Sequence, residues 1–455
     1  MTTPVARQFA RFACTRTGPP AKVVHAADRA MLDTLGAIIV GGTHPATLSV
    51  AGAFAGSDGP ATLTTGGTAS VQTAALVNGM AAHVWDIDDT SYTGIMHGSA
   101  VILPALLAVA DDTGADADAV RDAFIIGSEI TYVLADICTH QHYFHGWWST
   151  VTFSLVGATA AVGVLLGLNE DQMVSAIGLA AAAAGGGKAV FGTDGKPFLV
   201  GDAAQRAIAF ARVAAQGLSG PETAFEDDRG FLKLLNNGKS ELRELETLGQ
   251  RWRLVDPGLL FKTNPVCSAA HAAIDQMNAL MTELDAQPGD TAQIRAEVPK
   301  LVDISLVYPR PTTPQQAQFS LPYTLACTAL HGRVRFEDLD PDVIQSADIT
   351  ALMEKITVVR ADDLSTEEMR QKFPESARLI LTLTDGRSAQ GFCGVAKGMP
   401  TNPLSDEELI KKFDAAVTYA GRTCDPDTRL GDHPAQIFAR RMGRSNCPIQ
   451  GGSPS

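Results

Sequence analysis

The segment HVWDIDDTSYTGIMHGSA, residues 83–100, concentrates groups that can move protons or bind charge. Asp86, Asp88, Asp89 and Thr90 fall within five positions, and His83 and His97 flank them. Histidine exchanges a proton near neutral pH, and a neighbouring carboxylate can orient or polarise it. Carboxylates buried together raise one another's pKa values, and strain of that kind tends to mark a site. A single aspartate here would read as a helix cap. Three of them, beside His97 and ahead of an apolar run, point to chemistry.

Metal-dependent schemes fit this segment poorly. Asp86-Ile-Asp88-Asp89-Thr90 has the DxDxT form of haloacid-dehalogenase-like phosphatases, where one aspartate attacks phosphorus and the next acts as an acid beside Mg²⁺. That motif must follow a buried strand, whereas LVNGMAAHVW reads as helix. A calcium loop would need glycine where Ser91 stands and glutamate where His97 stands. GTDGKP and GGGKAV both lack P-loop spacing. No metal ligand set is therefore expected.

Other polar groups sit in apolar surroundings. GTDGKPFLVGDAA places Lys196 in a glycine-rich loop just before a helix, where an anion could meet the lysine and free N–H groups together. LLFKTNPVCSAAHAAIDQM places Lys262 after an apolar run, with Cys267 and His271 following. AQFSLPYTLACTAL places Tyr323 where its hydroxyl needs a partner. Taken singly, such residues are more often core than catalyst. His271, on an alanine-rich helix, reads as structural.

The composition sets the frame for these residues. The chain has 455 residues, 45% of them hydrophobic and 19% charged, enough for a large core and two domains. A net charge of −14 argues against nucleic acid as a partner. Seven scattered cysteines with no CxxC pair imply free thiols and a cytoplasmic location. The N-terminus has no long apolar stretch of a signal peptide. WWSTVTFSLVGATAAVGVLLGLN, residues 147–169, is uncharged and long enough to span a bilayer. Its Ser, Thr, Gly and Ala content, and the acids that follow, favour a buried helix and no membrane.

Residues 1–260 read as successive helices. AKVVHAADRAMLDTLGAIIVGG ends at a Gly-Gly stop, NEDQMVSAIGLAAAAAGGG begins with a capping Asn169, and GDAAQRAIAFARVAAQGLSG follows. Abundant small residues permit close helix packing. The character changes near Pro257. AQIRAEVP, KLVDISLVY, ITALMEKITVVRAD and ARLILTLTDGRSAQGFCGVAKG suggest an α+β region, the last a hairpin around Asp385-Gly386. A capped helix, LSDEELIKKFDAAVTYAG, is expected to pack back on the first domain, and the tail NCPIQGGSPS to be flexible.

Six fragments in order, NGMAAHVWDIDDT, HGSAVILPALLA, GTDGKPFLVGDAA, GLSGPETAFEDDRGF, FKTNPVCSAAHAAID and AQFSLPYTLACTAL, resemble the MmgE/PrpD family over nearly the whole chain. Its members include 2-methylcitrate dehydratase, cis-aconitate decarboxylase and iminodisuccinate epimerase. The resemblance implies a mainly α fold: a large all-helical domain from residues 1–260 with 400–455, and a smaller α+β lid domain from 261–399. It implies a homodimer, no cofactor, and a polycarboxylate substrate bound between the domains. Carried over by motif, the site holds Asp86, Thr90, His97, Lys196, Lys262 and Tyr323. One extra residue separates Thr90 from His97 relative to the decarboxylases, which implies a displaced His97.

The chain also departs from the family pattern. Trp148 in GWWST and Leu199 in KPFLVGDAA stand where the family often has histidine. Cys267 stands where the decarboxylases have histidine and many other members cysteine. The shared chemistry is proton removal or return beside a carboxylate, through an enolate-like intermediate that fixed cations stabilise. Lys196 and Lys262 are the expected clamp and His97 the expected base. Asp86 would orient His97 or bind substrate through Thr90, and Tyr323 or Cys267 would deliver a proton from another side. Trp148 and Leu199 would shrink and dry the pocket, which leans the expectation toward an epimerase. The alternative is a dehydratase or decarboxylase of a citrate-like acid. A DxDxT phosphatase and a non-catalytic carboxylate-binding relative are the remaining readings.

Overall fold

The computed structural model describes residues 3–15, 18–424 and 428–442. The 446–455 tail, with Cys447, lies outside them; the other six cysteines are free thiols.

Helices build the first half of the chain. The helices Ala21–Gly41, Val71–Val84, Ser99–Thr113, Ala117–Cys138, Ser149–Leu165, Glu170–Ala182 and Gly195–Ala215 share one hydrophobic core. Ser149–Leu165 is buried from Ser149 to Gly163, as its lack of charge requires. Among the described residues no helix is long and apolar enough to cross a membrane. Asn169 caps its helix in a reciprocal box with Gln172.

Small residues set how closely these helices approach. Val71–Val84 crosses Gly195–Ala215 at Gly79 and Gly201, where a Cβ on Gly201 would lie 2.0 Å from the carbonyl oxygen of Leu76. No other side chain fits there. The crossing brings the end of one helix, with His83, to the start of the other, with Lys196.

The α+β region holds a four-stranded sheet in the order Ile356–Arg360, Thr291–Val298, Ala377–Leu383, Ser388–Cys393. The first pair is parallel and the others antiparallel. The expected hairpin forms, with Gly386 at φ 91 in its turn. Ala377–Leu383 alternates buried and half-buried positions and turns its apolar face to the helix His271–Glu283. KLVDIS forms a short helix, Lys300–Ser305.

Ser405 caps the helix Asp406–Tyr419, which packs on Ala21–Gly41 through Phe413 against Gly36. Its Lys412 reaches Oδ1 of Asp33 at 2.5 Å and the carbonyl oxygen of Ile87 at 2.8 Å. The helix Asp406–Tyr419 thus braces the loop that carries the aspartates.

Candidate active site

Helix Val71–Val84 stops at Trp85, and Asp86 turns the chain in the left-handed region at φ 51. Thr90–Ser91 then pairs with Leu259–Leu260, which sets Lys262 beside the aspartate loop. Ser91 and Met96 exchange backbone hydrogen bonds around a tight turn, Ile95 lies at φ 56, and His97 follows. Left-handed backbone at two non-glycine residues flanking Thr90 costs energy that the surrounding packing must hold.

The buried side chains form one continuous polar chain. Lys262 Nζ donates to the Asp86 carbonyl at 2.8 Å and lies 3.0 Å from Oδ2. Lys196 Nζ donates to Asp86 Oδ1 at 2.6 Å and to His83 Nε2 at 2.6 Å. His83 Nδ1 donates to Asp88 at 2.9 Å, and His97 Nδ1 lies 3.2 Å from Asp88 Oδ2 and 2.8 Å from the Asp89 carbonyl oxygen. Both rings therefore carry their proton on Nδ1, which leaves Nε2 of His97 as a proton acceptor in the neutral ring.

The three acids do not behave alike, and the mutual elevation expected for them reaches only Asp89. Burial pushes Asp86 up, but Lys196 and Lys262 outweigh it and hold its carboxyl well below the usual range. The two histidines do the same for Asp88. Only Asp89, buried beside Asp33 and Asp88 with Lys412 offsetting only part of their effect, is raised well above it. Burial lowers His83 to about 4, so it is a neutral relay.

These groups line a cavity of about 230 Å³. Asp86, Thr90, His97, Trp148, Lys196, Lys262 and Cys267 of the expected set all face it. Burial pushes the Cys267 thiol up to about 12, so it stays protonated. Trp148 stacks 5.5 Å from the His83 ring. His271 is structural as expected: its Nε2 accepts from the backbone of Thr263 and Asn264, locking the turn between Lys262 and Cys267.

Two expected residues are elsewhere. Tyr323 is fully buried in the α+β core and donates to the carbonyl of Asp338, so its hydroxyl is satisfied away from the cavity. Phe319, one helical turn earlier, faces the cavity instead. Leu199 packs against the helical core and does not line the cavity. Asp86 follows a helix and is clamped by two lysines, which removes it as a phosphatase nucleophile.

The structure adds residues that motif reading missed. Lys188 lines the cavity half-buried, 3.5 Å above the Tyr143 ring, with no carboxylate in ion-pair range among the described residues; burial lowers it to about 8. Its only sequence signal was GGGKAV, read as a failed P-loop. Glu375, Tyr143 and Tyr308 also face the cavity. Ile95, Phe191, Ile304, Val307 and Phe319 form the apolar part of the wall, with the hydroxyls of Ser268 and Ser305 between them.

His83, Asp88 and His97 offer donor atoms all within 4.8 Å, a set that could hold a metal ion. In this structure those atoms hydrogen-bond one another, and the Lys196 ammonium occupies His83 Nε2. A hollow of about 360 Å³ reaches Ile87 but is lined by no histidine, cysteine or tyrosine.

Residues 7–243 match the MmgE/PrpD N-terminal domain and residues 265–428 the MmgE/PrpD C-terminal domain. The cis-aconitate decarboxylase-like protein oryM of Aspergillus oryzae is 24% identical over 75% of this chain and 74% of its own. The human cis-aconitate decarboxylase is 26% identical over 75% and 72%, and that of Aspergillus terreus 22% over 83% and 81%.

Proposed function

The chain belongs to the MmgE/PrpD family, and on that premise we propose that it is a lyase that releases CO₂ from a small unsaturated polycarboxylate of the cis-aconitate type. The observation that carries this reading is the convergence of Lys188, Lys196, Lys262 and His97 on one cavity that also presents an aromatic and aliphatic surface, Phe191, Ile304, Val307 and Phe319. At about 230 Å³ the cavity is smaller than the roughly 300–1,000 Å³ of drug-sized sites. That suits a compact acid.

The chemistry follows from the substrate's bonds. In cis-aconitate one carboxylate hangs on a saturated carbon next to the double bond. When that C–C bond breaks, its electron pair forms a new double bond. The old π pair moves to the carbon beside a second carboxylate. The product of this step is CO₂ and a dianionic enediolate, which one proton on carbon converts to an unsaturated diacid. Lys196 and Lys262, pre-aimed by Asp86, and Lys188 supply fixed positive charge where the dianion forms. Phe191, Val307 and Phe319 offer the departing carboxylate no hydrogen bonds, which favours neutral CO₂. His97, held at Nδ1 by the Asp89 carbonyl and Asp88, takes a proton from solvent on Nε2 and delivers it to carbon. The Thr90 hydroxyl binds a carboxylate oxygen. Residues 261–399 act as the lid, supplying Lys262, Cys267, Phe319 and Glu375 from above the helical domain.

An epimerase was the expectation from Trp148 and Leu199. Leu199 does not reach the cavity, so one of the two supporting replacements falls away. The relatives named above are called decarboxylases or decarboxylase-like. The lyase, held as the alternative, is therefore preferred.

The test is CO₂ release from cis-aconitate, citrate and 2-methylcitrate supplied separately. CO₂ from cis-aconitate alone supports the proposal. Water loss from a citrate-like acid without CO₂ would move the activity to a dehydratase, and binding without turnover would make the protein a carboxylate receptor.

A further inference from the structure

Glu375 precedes the strand Ala377–Leu383 and is 3% exposed, yet its carboxyl faces the cavity. Tyr92 donates its hydroxyl to Oε2 at 2.8 Å and Ser268 donates its own to Oε1 at 2.8 Å. Each oxygen keeps a second position for another bond. No lysine, arginine or histidine among the described residues comes within ion-pair distance of it. Lys262, the cation that acts on it, is spent on Asp86. The other titratable groups around the cavity are Cys267, Tyr143, Tyr308, Lys188, Lys196, Asp86 and His97. An isolated buried carboxylate is costly, and a polycarboxylate bound in the same cavity adds further negative charge. Burial raises Glu375 and outweighs the two hydroxyls and Lys262, which pull it the other way.

We propose that Glu375 binds substrate as a neutral carboxylic acid, donating a hydrogen bond to the substrate carboxylate that gains negative charge as CO₂ leaves. This rests on the lyase reading above. The bond from the departing carboxylate to carbon breaks, its electron pair forms the new double bond, and the displaced π pair is delocalised onto the oxygens of the second carboxylate. Glu375 shares its proton with one of those oxygens and keeps it. The proton added to carbon comes from His97. Enzymes elsewhere keep a buried carboxylic acid neutral for this purpose. Ser268 and Tyr92 then orient the carboxyl and hold it apart from the lysine–aspartate cluster.

The test compares E375Q, whose amide can still donate, with E375A, which cannot. E375L stands in for E375A where the alanine variant does not fold, as judged by its melting temperature. The binding probe is tricarballylate, a saturated tricarboxylate that cannot lose CO₂ by this route, measured by calorimetry at pH 7. E375Q is expected to keep Kd within about 3-fold and kcat within about 10-fold of the parent, while E375A weakens binding about 10-fold and lowers kcat about 100-fold. The proposal is overturned if E375Q is as impaired as E375A, which would mean that the carboxyl's proton or charge is itself used. It is equally overturned if E375A matches the parent. Failure of the parent enzyme to release CO₂ would sink the reaction, while the tricarballylate comparison would still decide the role of Glu375.

Discussion

Nδ1 of His97 lies 3.2 Å from the Asp88 carboxylate, and Asp88 receives Nδ1 of His83 on its other side at 2.9 Å. One carboxylate thus lies against Nδ1 of both rings, and the Asp89 carbonyl oxygen, 2.8 Å from His97 Nδ1, shares in fixing its tautomer. An amide at this position would offer an N–H to one ring and leave it misaligned. D88N is expected to lower kcat about 10²- to 10⁴-fold with a much smaller change in KM, as seen when the orienting acid of a proton-transfer histidine is neutralised. Steady-state kinetics on a folded variant checks it, and an unchanged kcat would remove Asp88 from the relay.

Lys188 acts in the account as a charge for a substrate carboxylate remote from His97. K188M should raise KM about 10-fold or more and leave kcat within a few-fold. Lys188 titrates near 8, so it loses its charge as pH rises through that value. KM should therefore climb above pH 8 in the parent and stay flat there in K188M.

Acid should destabilise the fold through its buried histidines. His83 and His142 are lowered to about 4 and His271 to about 3, against about 6.5 in the unfolded chain. Because these values are depressed, the unfolded state binds three more protons as pH falls below 6.5. Their stabilising effect is complete above 6.5 and is lost down to about 4, with a limiting slope of about 4 kcal/mol per pH unit. Asp33, Asp89 and Glu375 are raised and oppose part of this, since the folded state keeps their protons where the unfolded chain releases them. A melting temperature lower at pH 5 than at pH 7 is expected by calorimetry.

G201A tests the crossing that joins His83 to Lys196. A methyl group at Gly201 meets the Leu76 carbonyl, so the helices must separate. The expected loss is about 1–3 kcal/mol of stability. A fall in kcat should accompany it, because the 2.6 Å contact from Lys196 to His83 opens with the helices.

Much of the site was legible because it is local. Asp86, Thr90 and His97 lie within one short segment, and Lys196 and Lys262 stand out as lone cations in apolar runs. The helical first half, the buried 149–165 helix and the Asp385-Gly386 hairpin follow from periodicity and turn chemistry. Tyr323 failed because an apolar run with a tyrosine does not say which way the ring points; a helical turn separates it from Phe319, which does face the cavity. Lys188 and Glu375 carried no motif. Lys188 comes to the cavity through the irregular chain after the Glu170–Ala182 helix, and Glu375 through the hydroxyls of Tyr92 and Ser268. The opposite fates of Asp86 and Asp89 depend on groups distant in sequence, Lys196 and Lys262 for the one and buried Asp33 for the other, which local spacing does not reveal.

The most direct measurement is proton NMR of the protein with cis-aconitate in D₂O. The account predicts loss of one carboxylate as CO₂, a pair of vinyl protons on a new terminal carbon, and a single deuterium on the carbon beside the remaining carboxylate. That deuterated product should form about 10²-fold more slowly or less in H97Q. Unchanged cis-aconitate, beside α-proton exchange and stereochemical interconversion of iminodisuccinate, would contradict it.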